Sequence, residues 1–154
     1  MTATISPARP NELPDILALV TGSGLPEAGL SDHLATTLVA REDGRIVGCA
    51  AIELYGAAAL LRSVAVDASR RGQGLGQRLT AAALELAGRR GVRTVYLLTA
   101  SAEAFFPRFG FRPIPRSDVE PAVQRSVEFT SACPASALAM VATLPPVSGE
   151  GRGT

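Results

Sequence analysis

From Arg70 to Gly76 the chain reads Arg-Arg-Gly-Gln-Gly-Leu-Gly, with three glycines inside five residues. From Leu75 onward the apolar residues Leu75, Leu79, Ala83, Leu86 and Ala87 recur at helical spacing, so the glycines stand where a helix begins. Glycine adopts backbone conformations closed to other residues and lets a ligand approach the main chain closely. Several amides turned into one concavity form a cradle for an anion. The helix start adds partial positive charge, contributing up to about 2 kcal/mol for an anion in favourable geometry. A pyrophosphate suits such a cradle. The alternative is a tight turn that needs glycine for steric reasons alone, with Arg70 and Arg71 merely solvated. Neither the Gly-x-Gly-x-x-Gly dinucleotide spacing nor the Gly-Lys-Ser/Thr of a P-loop is present.

The second chemical feature is Arg62, set in the otherwise apolar or small run from Leu60 to Val66. A buried guanidinium demands an anionic partner. Glu53, Glu128 or the carboxylate of a bound molecule could fill that role, the last through the bidentate fork of arginine. Glu53 stands near the end of the apolar run Ile46 to Leu54, next in order to the Arg62 run. Partial burial there would lift its pKa toward the range of a general base. A strand-end ion pair with Arg62 is the structural alternative. The single histidine, His33, follows the loop Leu25 to Leu30 and reads as a surface residue.

The elements that position these residues follow from pattern. Ala3 to Pro7 is an extended opening, an edge strand. Asn11 is placed to cap a helix through Leu13, Ile16, Leu17 and Val20. Thr37 to Arg41 and Arg45 to Leu54 are strands joined by Asp43-Gly44, a two-residue hairpin signal. Leu60 to Val66 has the composition of a central strand. After the glycine turn and its helix come a strand, Val92 to Thr99, a short helix, Ala102 to Phe109, and a short strand, Phe111 to Ile114. Pro121 to Arg125 is a helical turn, and Ser136 to Leu144 the last strand, although its alanines also suit a helix. Strand, glycine turn, helix and strand from Leu60 onward make a βαβ-like unit, whose ligands favour the strand's carboxyl end and the helix's amino end.

With 154 residues, 47% hydrophobic and 19% charged, the chain is a globular domain, assigned to residues 1–144, with a glycine-rich polar tail at 145–154. All fifteen basic residues are arginine, which excludes a lysine nucleophile or Schiff base. A net charge of +1 provides no global field for nucleic acid or anionic membrane. Cys49 and Cys133 fit no metal spacing and no disulfide framework, so no metal is expected and a cytoplasmic location is. Expected partners are a small-molecule amine, with no nucleic acid and no membrane, and the chain acts as a monomer or homodimer.

Two further motifs carry a resemblance. Leu61-Arg62-Ser63-Val64-Ala65-Val66 followed by Arg71-x-x-Gly74-x-Gly76 resembles the acetyl-CoA motif of the GNAT superfamily, and Tyr96-Leu97-Leu98-Thr99 followed by Phe105-Phe106-x-x-x-Gly110-Phe111 resembles its second half. The resemblance implies an α/β (α+β) GNAT fold, a single domain whose mixed, splayed central sheet is flanked by helices. It implies acetyl-CoA as co-substrate. Its pyrophosphate would lie on the amides of Gly72, Gln73, Gly74, Leu75 and Gly76, its charge would meet Arg71 or Arg108, and its pantetheine arm would pair with the backbone of Val64, Ala65 and Val66. The Val66 N–H would serve as oxyanion donor, a role worth about 3 kcal/mol. Phe106, on the cofactor side, occupies the place where the family often has a tyrosine acid. Tyr55 or Tyr96 could substitute, and a thiolate is in any case a tolerable leaving group.

A narrower resemblance rests on Leu25-Pro26-x-x-Gly29-Leu30, Glu53-x-Tyr55-Gly56, Leu60 to Val66 and Glu128-Phe129-x-x-x-Cys133-Pro134. Together these look like the arsenic-resistance N-acetyltransferases, a group whose members acetylate arsinothricin and phosphinothricin, both glutamate analogues. It implies that Glu53, Tyr55, Arg62 and the loop Leu25 to Leu30 line the acceptor pocket; Glu53 is the candidate base on its position, and Cys133-Pro134 reads as a structural turn. The expected activity is N-acetylation of a small amino-acid-like amine by direct transfer in a ternary complex. Alternatives are a non-catalytic acyl-CoA-binding module and a protein N-terminal acetyltransferase.

Overall fold

The computed structural model describes residues 3–132 and 136–145. The chain forms two compact units interleaved in sequence, one of Met1–Glu53 with Leu61–Ala83 and the other of Leu54–Leu60 with Leu84–Thr154. Seven strands make a mixed sheet, and its fourth strand contributes to both units.

In the first unit, β1 (Thr4–Pro7), β2 (Thr37–Glu42), β3 (Arg45–Tyr55) and β4 (Ala58–Val66) are neighbours in that order. β1 pairs antiparallel with β2, and β2 with β3. The β2–β3 hairpin closes at Asp43 and Gly44, with φ of 52° and 77°, the left-handed pair that an Asp-Gly turn favours. Its core joins Ile16, Val20, Leu30, Val39, Cys49, Ala51 and Ala65. Two of these come from α1 (Leu13–Gly22), whose buried Ile16 and Val20 lie one helical turn apart. The amino-terminal part of α2 (Leu75–Arg89) rests Leu79 and Leu75 so close to Gly48 that a Cβ there would meet Leu79 Cδ1 at 2.7 Å. Glycine at 48 is therefore what lets this helix approach the sheet.

In the second unit β4 pairs parallel with β5 (Thr94–Thr99), and β5 pairs antiparallel with β7 (Leu138–Thr143), which also pairs with β6 (Arg112–Ile114). The parallel β4–β5 pair is the signature of the expected βαβ-like crossover. Ala58, Leu60, Tyr96, Val119, Val123, Ala139 and Val141 form its core, with α3 (Pro121–Gln124) supplying Val123.

Three local expectations are corrected. Asn11 does not cap α1: it lies inside a 3-10 turn, Pro10–Glu12, closed when the Arg9 N–H donates to Glu12 Oε1 at 2.7 Å. The helix expected at Ala102 to Phe109 shrinks to a 3-10 turn, Phe106–Phe109, because Pro107 has no N–H to continue an α-helical ladder. Leu86, expected on the buried stripe of α2, is half-buried, whereas Thr80 is fully buried. Cys133, Pro134 and nearly all of the tail lie outside the described residues. Among the described residues no helix is long and apolar enough to cross a membrane.

Candidate active site

The glycine turn takes the form its composition demands. Gly72 and Gly74 both have φ of 80°, a conformation that strains any residue with a Cβ. No protein atom lies within 4 Å of a Cβ built at either position, and Arg71 to Gly74 are exposed. The backbone therefore faces open space immediately before α2, a fifteen-residue helix whose first-turn amides have no intrahelical partner. Leu75 anchors the turn by burial. Arg71 donates from Nε to the Val66 carbonyl at 3.1 Å, tying the turn to the end of β4. A cavity of about 190 Å³ adjoins this junction, lined by Leu19, Gly22 and Ser23 of the α1 end and by Val66, Asp67 and Arg71. The donor set and the free space fit the phosphates of a coenzyme A thioester.

In the same unit, β3 and β4 bring Glu53 and Arg62 together. Both are buried, at 1% and 3% exposure. Arg62 Nη1 donates to Glu53 Oε2 at 2.9 Å, Nε to Ser63 Oγ at 3.0 Å, and Nη2 to the Pro26 carbonyl at 3.1 Å. One guanidinium thus binds a buried carboxylate and the loop after α1 at once. Of the carboxylates named for Arg62 from sequence, Glu53 is one that this geometry places on the guanidinium.

Ser63 is the departure that sequence reasoning missed. Its φ of 58° puts a non-glycine residue in the left-handed region in the middle of a strand, at a cost of about 1–2 kcal/mol. The conformation is braced from both sides. Arg62 holds its hydroxyl, and the Cys49 thiol donates to its carbonyl at 3.2 Å. The Cys49 sulfur also accepts from the Ala65 backbone, while burial pushes the thiol pKa up to about 12. The kink falls directly before Val64, Ala65 and Val66; Ala65 is buried, and Val64 and Val66 are half-buried. A serine in a central strand leaves no mark in the sequence that separates it from any small residue.

His33, expected at the surface, is instead half-buried. It lies in the 3-10 segment Leu30–Thr36 at a kink, and its Nε2 stands 3.7 Å from Glu53 Oε2. Its side chain is 26% exposed. No spacing rule relates residue 33 to residue 53, so only folding reveals the pair.

The remaining expected residues take their places in the second unit. Tyr55 is half-buried against the Tyr96 core. Phe106 is buried and packs edge-on to Phe105 and Phe111, at centroid distances of 5.1 and 5.8 Å. Arg108 lies over the Phe105 ring at 4.9 Å. Tyr96, a candidate acid, has its pKa raised chiefly by burial, and its hydroxyl is engaged by Glu120.

A mixed sheet with a parallel β4–β5 crossover and a glycine turn opening α2 defines an acyl-CoA-type transferase fold. The chain belongs to the family of acetyltransferase (GNAT) domains, whose family model matches residues 33–113. It is 34% identical over 84 residues to an uncharacterized N-acetyltransferase of Chlorobaculum tepidum, a match covering 54% of each chain. The chain thus spans about half the length of the curated relative it matches. Among solved structures it resembles a Mycobacterium tuberculosis protein in complex with CoA and NLQ, at 25% identity and a TM-score of 0.78, covering 92% of this chain and 99% of that one. It also resembles the N-acetylglutamate synthase of Neisseria gonorrhoeae complexed with coenzyme A and N-acetyl-glutamate. There the identity is 19% and the TM-score 0.81, covering 94% of this chain and 36% of that one. At that identity the likeness speaks for the fold alone.

Proposed function

We propose that this protein is an acetyl-CoA-dependent N-acetyltransferase acting on the primary amine of a small, anionic, amino-acid-like molecule. Glutamate and its analogues phosphinothricin and arsinothricin are the model acceptors. The reading is carried by one observation: a single unit holds the open glycine turn before α2 and the buried Glu53–Arg62 pair beside the kink in β4.

Bound acetyl-CoA supplies the acetyl group as an activated thioester. Gly72, Gln73, Gly74, Leu75 and Gly76 hold its phosphates through backbone amides, with Arg71 available to the surrounding charge. Val64, Ala65 and Val66 present backbone to its peptide-like arm, a β-augmentation contact. Glu53 accepts the proton of the acceptor ammonium, and the Val66 N–H supports charge that develops on the reacting oxygen. Arg62 fixes the Glu53 carboxylate and, through the Pro26 carbonyl, the acceptor-side loop. Cys49, buried with its thiol pKa raised to about 12, offers no thiolate for an acyl-enzyme, which favours direct transfer.

A second reading, an acyl-CoA-binding module without turnover, draws on Phe106, which brings no hydroxyl to the position where the family often has a tyrosine. Thiol release from acetyl-CoA across glutamate, phosphinothricin, arsinothricin and a short peptide separates the two. Turnover with a glutamate-like amine and not with the peptide is expected. CoA binding without release for any amine would favour the module.

A further inference from the structure

We propose that His33 is the proton exit of Glu53, carrying to solvent the proton that Glu53 takes from the acceptor amine. The inference rests on the assignment of Glu53 as base and deepens it.

The argument begins with stoichiometry. At neutral pH the acceptor arrives as an ammonium and the products are an amide and a thiol, so each turnover releases one proton. Glu53 is 1% exposed. A base buried to that degree must pass its proton on before it can act again. Arg62 touches the same oxygen, Oε2, at 2.9 Å, but a guanidinium keeps its protons under all working conditions and relays nothing. The Thr36 hydroxyl, nearby on the same segment as His33, donates to the Ile52 carbonyl. His33 is a neighbour with suitable chemistry, since an imidazole can both accept and release a proton and has two nitrogens to do it with. Its Nε2 faces Glu53 Oε2 at 3.7 Å, while a quarter of the side chain reaches solvent. One ring therefore spans the distance from the buried carboxylate to water.

The backbone holds the ring at that station. The His33 carbonyl accepts from the Thr37 hydroxyl at 2.9 Å, with the Thr36 hydroxyl, which gives its proton to Ile52, 3.3 Å away. Both threonines are buried, so the Cα of His33 is pinned while its side chain remains partly free. A swing of less than 1 Å brings Nε2 into hydrogen-bond range of the carboxylate, within ordinary side-chain motion. The step balances without any oxidant or reductant. The N–H bond of the ammonium breaks as an O–H bond forms on Glu53. That O–H then breaks as an N–H forms on His33 Nε2, and the imidazolium releases a proton from either nitrogen to water or buffer.

The test uses the full chain, acetyl-CoA and saturating L-glutamate, with kcat measured at fixed pH against imidazole concentration. In dilute buffer His33→Asn should lower kcat by about 5- to 20-fold, within the usual span of acid–base contributions, with KM for acetyl-CoA unchanged. Added imidazole at tens of millimolar should restore most of that loss in His33→Asn and none of the loss in Glu53→Gln. His33→Gln repeats the test should the asparagine variant fail to fold. Wild-type kcat in the variant, or a loss that imidazole leaves untouched, overturns the relay while the Glu53 assignment stands. Wild-type kcat in Glu53→Gln, or no thiol release from wild type with glutamate, overturns the base reading and the relay with it.

Discussion

Arg62 Nη1 lies 2.9 Å from Glu53 Oε2, and the two side chains are 0% and 1% exposed. A pair this deeply buried is not a general stabiliser, because desolvation offsets most of the attraction. Breaking it from one side is another matter, since it strands a buried charge. Arg62→Ala should destabilise the fold by about 3–5 kcal/mol, read from urea unfolding midpoints, and Arg62→Ala with Glu53→Gln should be less harmful than the first change alone. In folded variants KM for an acidic acceptor should rise more than KM for acetyl-CoA. Equal movement of both would confine Arg62 to structure.

Glu53→Gln keeps the shape of the site but removes the base. Its kcat should fall by about 10²- to 10⁴-fold near neutral pH. The deficit should shrink as pH rises and the acceptor amine loses its proton unaided. A pH–rate profile parallel to wild type would clear Glu53 of the role.

Gly74 has φ of 80° and open space beside it. Gly74→Glu should therefore fold, at a strain of about 1–2 kcal/mol, yet weaken CoA binding by roughly 100-fold through charge against the phosphates. Gly74→Ala, with the strain but no charge, should lose much less. Calorimetric titration with CoA distinguishes them, and equal affinities in wild type and Gly74→Glu would remove the turn from the cofactor site.

Gly48 is constrained by packing rather than by conformation. A Cβ there would lie 2.7 Å from Cδ1 of the fully buried Leu79 and 3.3 Å from the Ala65 carbonyl oxygen. Gly48→Ala should cost about 1–3 kcal/mol, visible as a lower Tm. Pairing it with Leu79→Ala should recover part of the loss.

Glu12 holds Arg41 through two bonds, Nε to Oε2 at 2.7 Å and Nη2 to Oε1 at 2.5 Å. The Arg41 hydrogen bond, the largest influence, draws the Glu12 carboxyl from 4.5 down to about 2. A depressed folded-state pKa adds stability that is complete above the unfolded value and is lost as pH falls through the folded one. The window therefore runs from about pH 5 to about pH 2. Near the surface the effect is about 1–2 kcal/mol. Glu12→Gln should flatten the acid limb of the stability curve, and parallel curves through that window would refute the linkage.

The sequence by itself determined the parts of this protein that obey local rules. Asp43-Gly44 announced a hairpin because only residues tolerant of positive φ close a two-residue turn. Leu75, Leu79, Ala83 and Ala87 announced the buried face of α2 because helical periodicity is local. The glycines from Gly72 to Gly76 announced an open turn before α2 because backbone freedom and a helix start coincide there. Arg62 announced a buried charge in need of a partner. What that partner was, only tertiary structure decided, since Glu53 and Arg62 meet through the pairing of two strands and not through spacing. The same holds for the kink at Ser63, which exists because Cys49 and Arg62 brace it from elsewhere in the chain. It holds most of all for His33, whose neighbour is twenty residues away. Sequence patterns record the constraints a residue meets along its own chain; those it meets across space appear only once the chain has folded.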